Sequence, residues 1–302
     1  MSGPGAEETG RAARATPDGD PVAGEGITPT SATTTTQPSA AAEVGASPAV
    51  GQQVARGPAA RAERIQLVAQ PVVVVVLTVA LLWWAFDRTL TVTQRTSLNR
   101  SNIAHAAWQH VVITVTVAAI VVAVAVPLGT LLSRRRFRWL SPAFLGLANL
   151  GAAAPAIGLI VLFYLWTKTT GFWIGVAPIA FYGLLPVLRN TILGFRQVDP
   201  ALIDAGRGQG MSAATVLRRI EFPLAIPYIL AGLRTTLVLA VGTATLSFLV
   251  SAGGLGILID TGYKLRDTVT LVVGAGLAVA LALLVDWVGA VAERFLGPRG
   301  LR

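Results

Sequence analysis

Long apolar runs and short polar connections alternate along most of the chain. Six runs of about 20 residues stand out, over 67–86, 111–132, 143–166, 172–188, 224–250 and 269–291. At about 1.5 Å of rise per residue, each can cross a hydrocarbon core of roughly 30 Å as an α-helix. The run Val72 to Val76 has strand propensity. An open strand edge finds no hydrogen-bond partners in lipid, however, and the runs lack the period-two alternation of a closed barrel. The pattern predicts an all-α fold, a polytopic membrane bundle of about six transmembrane helices.

Composition agrees with the pattern. Apolar residues make up 53% of the chain and charged residues only 13%, against roughly 25% charged in soluble domains. Residues 1–64 differ: they are rich in Ala, Gly, Thr and Pro, with "TPTSATTTTQPSAAAEVGASP" at their centre. Such a segment has too little apolar surface to offset chain entropy and reads as a disordered tail. It has no signal-peptide pattern, so the first run, in segment 65–107, is expected to be an uncleaved span followed by an outer loop. Segment 108–298 carries the other five.

Charge sets the orientation. The net charge is +9, yet residues 1–64 hold seven acidic residues against five arginines, so the basic excess belongs to the membrane part. With the N-terminus inside, fifteen basic residues fall on inner flanks and six on outer ones, which predicts that both termini are cytoplasmic. "RRRFR" at 134–138 lies on an inner flank and reads as a topology determinant and headgroup contact rather than a nucleic-acid site. Trp83, Trp84, Trp166 and Trp173 fall at outer ends, where tryptophan anchors at the interface.

One inner connection, "DPALIDAGRGQGMSAATVLRRIEFPLAIP" over 199–227, is more than a turn. Asp199 can cap a short helix that Pro200 begins. Ala201 and Ala205 share a small face beside Gly206, open to close approach by a partner, and Asp204 can pair with Arg207 one turn on. Gly206, Gly208 and Gly210 provide the exit. Ser212 can cap a second helix, "AATVLRRIE", which Pro223 is expected to stop just before the next span.

This connection resembles the signature of bacterial ABC importer permeases, Glu-Ala-Ala, three residues, Gly, nine residues, then Ile-x-Leu-Pro. Here it reads Asp204-Ala205-Gly206, Gly210, Ile220 and Phe222-Pro223, with conservative changes at three places. The resemblance implies an ABC importer permease core with a cytoplasmic coupling helix that docks on a separate ATPase. Over roughly 108–298, "AVPLGTLLSR", "FYGLLPVLRNTILGFRQVDPALIDAGRGQGM", "GTATLSFLVSAGGLG" and "LLVDWVGAVAERF" look like the glycine betaine, carnitine and choline permeases of osmoprotectant importers. The chain departs from them at Ala152-Ala153-Ala154-Pro155, where the family commonly has a Gln-Thr-Ile-Pro type stretch. The resemblance further implies a second permease chain, an extracytoplasmic substrate-binding protein and a place in the bacterial cell membrane.

Other signals narrow the chemistry. No G-x-x-x-x-G-K-[ST] phosphate loop is present, so ATP hydrolysis is expected on the partner and no cofactor is expected here. Cysteine is absent, which excludes disulfides and thiolate metal sites. His105 and His110 are five apart, a poor spacing for one metal, and read as solvated residues of the outer loop. Gly242, Thr243, Thr245 and Ser247 can line a weakly polar route for a quaternary ammonium solute; equally, the hydroxyls can bond to their own helix. Glycines 253, 254 and 256 can line that route too, or simply permit a tight turn or close helix approach. Arg234 and Asp286 are charges within apolar runs, explained by an interhelical pair or by function. The alternatives are a permease for methionine, phosphonate or another small solute, and an ATP-independent secondary transporter. The latter would place ionisable residues at the midplane, where none is evident.

Overall fold

Residues 56–296 are described by a computed structural model in which every regular element is helical. The helices are α1 (Arg56–Phe86), α2 (Val92–Ser97), α3 (Arg100–Ser133), α4 (Ser141–Ala153), α5 (Ala156–Thr167), α6 (Phe172–Arg196), α7 (Pro200–Gly208), α8 (Ala213–Val216), α9 (Phe222–Ala244), α10 (Gly256–Lys264) and α11 (Thr268–Leu296). Helix α1 takes in residues 56–64 of the stretch expected to be a tail. The rest of that stretch lies outside the described residues.

Five segments are long and apolar enough to span: Val68–Phe86, Arg100–Ser133, Phe172–Arg196, Ala213–Ala244 and Thr268–Leu296. The run 143–166, expected as one spanning helix, is instead two limbs, α4 and α5, bent by 101°. Pro155 supplies no N–H and disfavours helical geometry in the residue before it, and Ala154 is accordingly extended, at ψ 142°. The expected six spans are reached only with this bent pair taken as one. The expected outer loop after α1 is also shorter, because α3 begins at Arg100 and includes both histidines.

Helix α6 occupies the centre, packed on by α3, α4, α5 and α9. The α3 stripe Ile113, Val117, Val121 and Ala125, one residue every four, is fully buried and meets Val176, Ile179, Val187 and Leu188 of α6 in the main core. Lipid tails are as apolar as these side chains, so close packing has to hold the helices together. Small residues permit it. A Cβ on Gly129 would lie 2.7 Å from Thr191, one on Gly183 2.9 Å from Thr236, and one on Gly232 2.8 Å from the Pro186 carbonyl. Thr236 seals the α6–α9 crossing by donating its hydroxyl to the Gly183 carbonyl at 2.8 Å.

Helix α1 stands at the edge, against α11. Its Val72, Val73, Val75 and Val76 are exposed, as suits a surface facing lipid. Gln70 ties it inward, donating to the Leu283 carbonyl at 3.1 Å and to Asp286 at 2.9 Å.

Candidate coupling segment and pathway

Asp199 caps α7 as expected, its carboxylate accepting the Ala201 N–H at 2.8 Å. Among the described residues helix α7 packs chiefly on the segment that follows it, and Gly206 is its buried residue. A Cβ there would lie 2.7 Å from Ile220 Cδ1 and 3.4 Å from Val216. Gly206 is therefore not part of an open small face: it lets α7 lie on Ile220 of its own chain. Ala201, Asp204 and Ala205 remain exposed, with Leu202 beside them. Asp204 and Arg207, expected to pair, form no ion pair among those of the described residues. Gly210 turns the chain at φ 79°, a left-handed conformation that glycine adopts without strain.

Ser212 caps α8, accepting the Thr215 N–H at 3.3 Å. Pro223 does not stop the helix as expected. Residues Leu217–Glu221 form a π turn, in which the Phe222 N–H reaches back five residues to the Leu217 carbonyl. This wider register leads into Pro223 at the first turn of α9, where a missing N–H costs little. Ala213–Ala244 is consequently one continuous helical segment. The break between α7 and the membrane span is thus confined to the turn at residues 209–212.

A second device steadies this joint. Arg134, at the end of α3, reaches Glu221, which is buried in the π turn. Arg134 Nη1 donates to Glu221 Oε1 at 3.0 Å. Nη2 lies 2.6 Å from Oε2 but off the hydrogen-bond direction, so that contact is ionic. The guanidinium also sits 5.6 Å from the Phe195 ring. "RRRFR" was legible as a charge run, but not as one staple followed by exposed arginines.

The residues expected along a pathway divide. Gly242 is exposed, with open space where a Cβ would stand. Thr243 and Thr245 donate to their own backbone, at Leu239 (2.8 Å) and Gly242 (2.6 Å). Ser247 is set apart from them, fully buried, with its oxygen 2.7 Å from both the Ala244 and Gly253 carbonyls. The loop after it is a tight turn packed close: Gly253 and Gly254 have φ of 91° and 94°, and a Cβ on Gly256 would overlap the Thr245 carbonyl.

His110 is the residue that sequence reasoning misplaced. It is not a solvated loop residue but is fully buried on α3. Its Nδ1 accepts the Leu255 N–H at 3.1 Å, so its Nε2 carries the proton and donates to the Val241 carbonyl at 2.9 Å. Gln109 accepts the neighbouring Gly254 N–H at 3.2 Å. Together they fasten the 253–255 loop and the end of α9 to α3. His105 is exposed, and among the described residues no metal-holding cluster occurs.

Arg234 and Asp286 form the interhelical pair. Arg234 Nε and Nη2 donate to the two Asp286 oxygens at 2.6 and 2.8 Å, and Glu293 lies 3.5 Å from Nη1. The site is built for this: a Cβ on Gly289 would lie 2.8 Å from the Arg234 side chain.

Comparison with known proteins bears on the same segments. Residues 125–297 match the family described as "binding-protein-dependent transport system inner membrane component". The choline transport system permease protein OpuBB of Bacillus subtilis is 34% identical over 68% of this chain and 93% of its own length. The osmoprotectant import permease protein OsmW of Salmonella typhimurium is 34% identical over 68% of this chain and 96% of its own. The glycine betaine/carnitine/choline transport system permease protein OpuCB of Bacillus subtilis is 33% identical over 68% and 93%. Among solved structures, an inward-facing form of the MetNI methionine ABC transporter aligns with TM-score 0.56 at 21% identity. It covers 65% of this chain and 96% of that one, a likeness of fold.

Proposed function

The chain belongs to the family of binding-protein-dependent transport system inner membrane components, and from that premise we propose that it is the membrane-spanning permease subunit of an ATP-driven importer of quaternary ammonium osmoprotectants. The observation that carries the substrate class is the similarity, over two thirds of this chain, to relatives named for choline, glycine betaine, carnitine and osmoprotectants. Two permease chains, a cytoplasmic ATPase and an extracytoplasmic binding protein make up the working assembly. This chain carries no phosphate loop, so energy enters from the ATPase through α7, at the exposed Ala201, Asp204 and Ala205. Selection of solute rests largely with the binding protein, where aromatic rings can hold a quaternary ammonium group by cation–π attraction.

The open side of α9 at Gly242 suits passage of such a solute. A quaternary ammonium group has no N–H to donate. Thr243 and Thr245 spend their hydroxyl protons on the backbone, so the lone pairs of their oxygens are what they can present to a cation. The arginine-rich end, with α7, faces the cytoplasm. The test is uptake of labelled glycine betaine by cells that lack other betaine carriers and express this chain with its ATPase and binding protein. Competition by unlabelled choline or carnitine, but not by methionine, is expected. Uptake blocked by methionine alone would overturn the assignment of substrate.

A further inference from the structure

A groove of about 700 Å³ opens between the end of α3 and the joint leading into α9, a volume within the usual range for a bound organic molecule. Val126, Pro127 and Leu131 form one wall, and Leu217 and Phe222 the other. Thr130 adds no free polarity, because its hydroxyl donates to the Val126 carbonyl at 2.7 Å. The basic residues at the groove are Arg134 and Arg218. Arg134 is neutralised by Glu221. Arg218 is exposed and, among the described residues, has no carboxylate within ion-pair distance. Arg135, Arg136 and Arg138 follow α3 directly, and Trp139 is 75% exposed. Arginine and exposed tryptophan together mark the level of lipid headgroups.

We propose that this groove binds one anionic phospholipid, with acyl chain along the Val126–Leu131 and Leu217–Phe222 walls and phosphate against Arg218. Charge selects this occupant. A second copy of the chain would bring an equally basic flank against Arg218, and a zwitterionic lipid would bring its own cation; an anionic headgroup brings only the complementary charge. The occupant is placed to matter. Val126 and Leu217 also pack on the cluster of Phe195, Ala225 and Ile229, and Leu217 opens the π turn that carries α7. A lipid in the groove therefore braces the joint through which α7 acts.

The experiment delipidates the purified full chain in detergent and titrates it with dioleoyl-phosphatidylglycerol or dioleoyl-phosphatidylcholine, reading bound lipid by native mass spectrometry and oligomeric state in the same spectra. Phosphatidylglycerol should bind preferentially. Arg218→Ala should weaken that binding about fivefold, the effect of one arginine near a headgroup, whereas Arg219→Ala, which does not line the groove, should leave it unchanged. Leu131→Trp, which fills the groove with an apolar side chain, should lower binding of the same lipid without altering the oligomer. Equal binding of the two lipids overturns the proposal, as does an Arg219→Ala loss equal to that of Arg218→Ala. Dissociation of a dimer by Leu131→Trp with lipid binding intact would assign the groove to a second copy instead.

Discussion

Gly206 and Ala205 are neighbours with opposite duties. Gly206 faces Ile220 of its own chain, and Ala205 faces out. Gly206→Leu should therefore overpack the α7 joint, at about 1–3 kcal/mol, and lower the melting temperature of the purified chain. Ala205→Leu should leave that temperature unchanged, since exposed substitutions usually stay within about 0.5 kcal/mol, while the ATPase fails to co-purify. Equal destabilisation by both would contradict the assignment of faces. The sequence placed both residues in the signature but could not separate them, because four-residue spacing defines a face without saying which neighbour covers it. His110 was less legible still: its partners, Val241 and Leu255, lie more than a hundred positions away, and no local pattern announces them. His110→Ala leaves that N–H and C=O without their partner, at about 1–3 kcal/mol for each buried group. Thermal unfolding should show the loss, and proteolysis should cut first in the 251–256 loop.

At the scale of elements, proline shows why the helices were legible and their breaks were not. Pro71, Pro127, Pro178, Pro186 and Pro227 all sit inside helices, where neighbouring helices and side chains can satisfy the freed groups. Pro155 breaks one, and its residue type alone does not distinguish it. The π turn ahead of Pro223 is equally silent, since Leu217–Glu221 has ordinary helix-forming composition. Its staple can be tested. Arg134→Ala leaves Glu221 buried without its partner, a change of about 3–5 kcal/mol when a pair is fully buried and less for this part-exposed arginine. The double variant Arg134→Ala/Glu221→Ala should recover much of the loss in melting temperature. No recovery would mean that the guanidinium acts through the Phe195 ring rather than through the ion pair. Asp267, just before α11, ties that helix to α2. Partial burial pushes its carboxyl up, but hydrogen bonds from Thr270, Gln94 and the Val269 N–H outweigh burial and hold it below the ordinary carboxylate value. Such a group stabilises above about pH 4 and loses that contribution as pH falls through its folded value. The stability gap between the wild type and Asp267→Asn should therefore narrow on acidification below that pH.

For the whole molecule, the apolar runs made a helical membrane bundle legible, because lipid leaves the backbone few choices, while the arginine distribution supplies an expectation of its sidedness. The packing that makes α6 central depends on glycines meeting specific partners across helices, and no periodicity encodes it. The orientation predicts labelling. The chain has no native cysteine, so single cysteines at the exposed positions 136 and 168 report directly on sidedness. Arg136→Cys should resist an impermeant thiol reagent in intact cells and Lys168→Cys should react; the reverse would invert the topology. The proposed function turns on where the energy enters, and the most direct measurement is accumulation of labelled glycine betaine in proteoliposomes. Vesicles holding this chain, its ATPase and its binding protein should concentrate the solute when ATP is supplied on the ATPase face, and should lose that ability when the ATPase is omitted. Accumulation by this chain alone, without ATP and driven by a sodium or proton gradient, would contradict it.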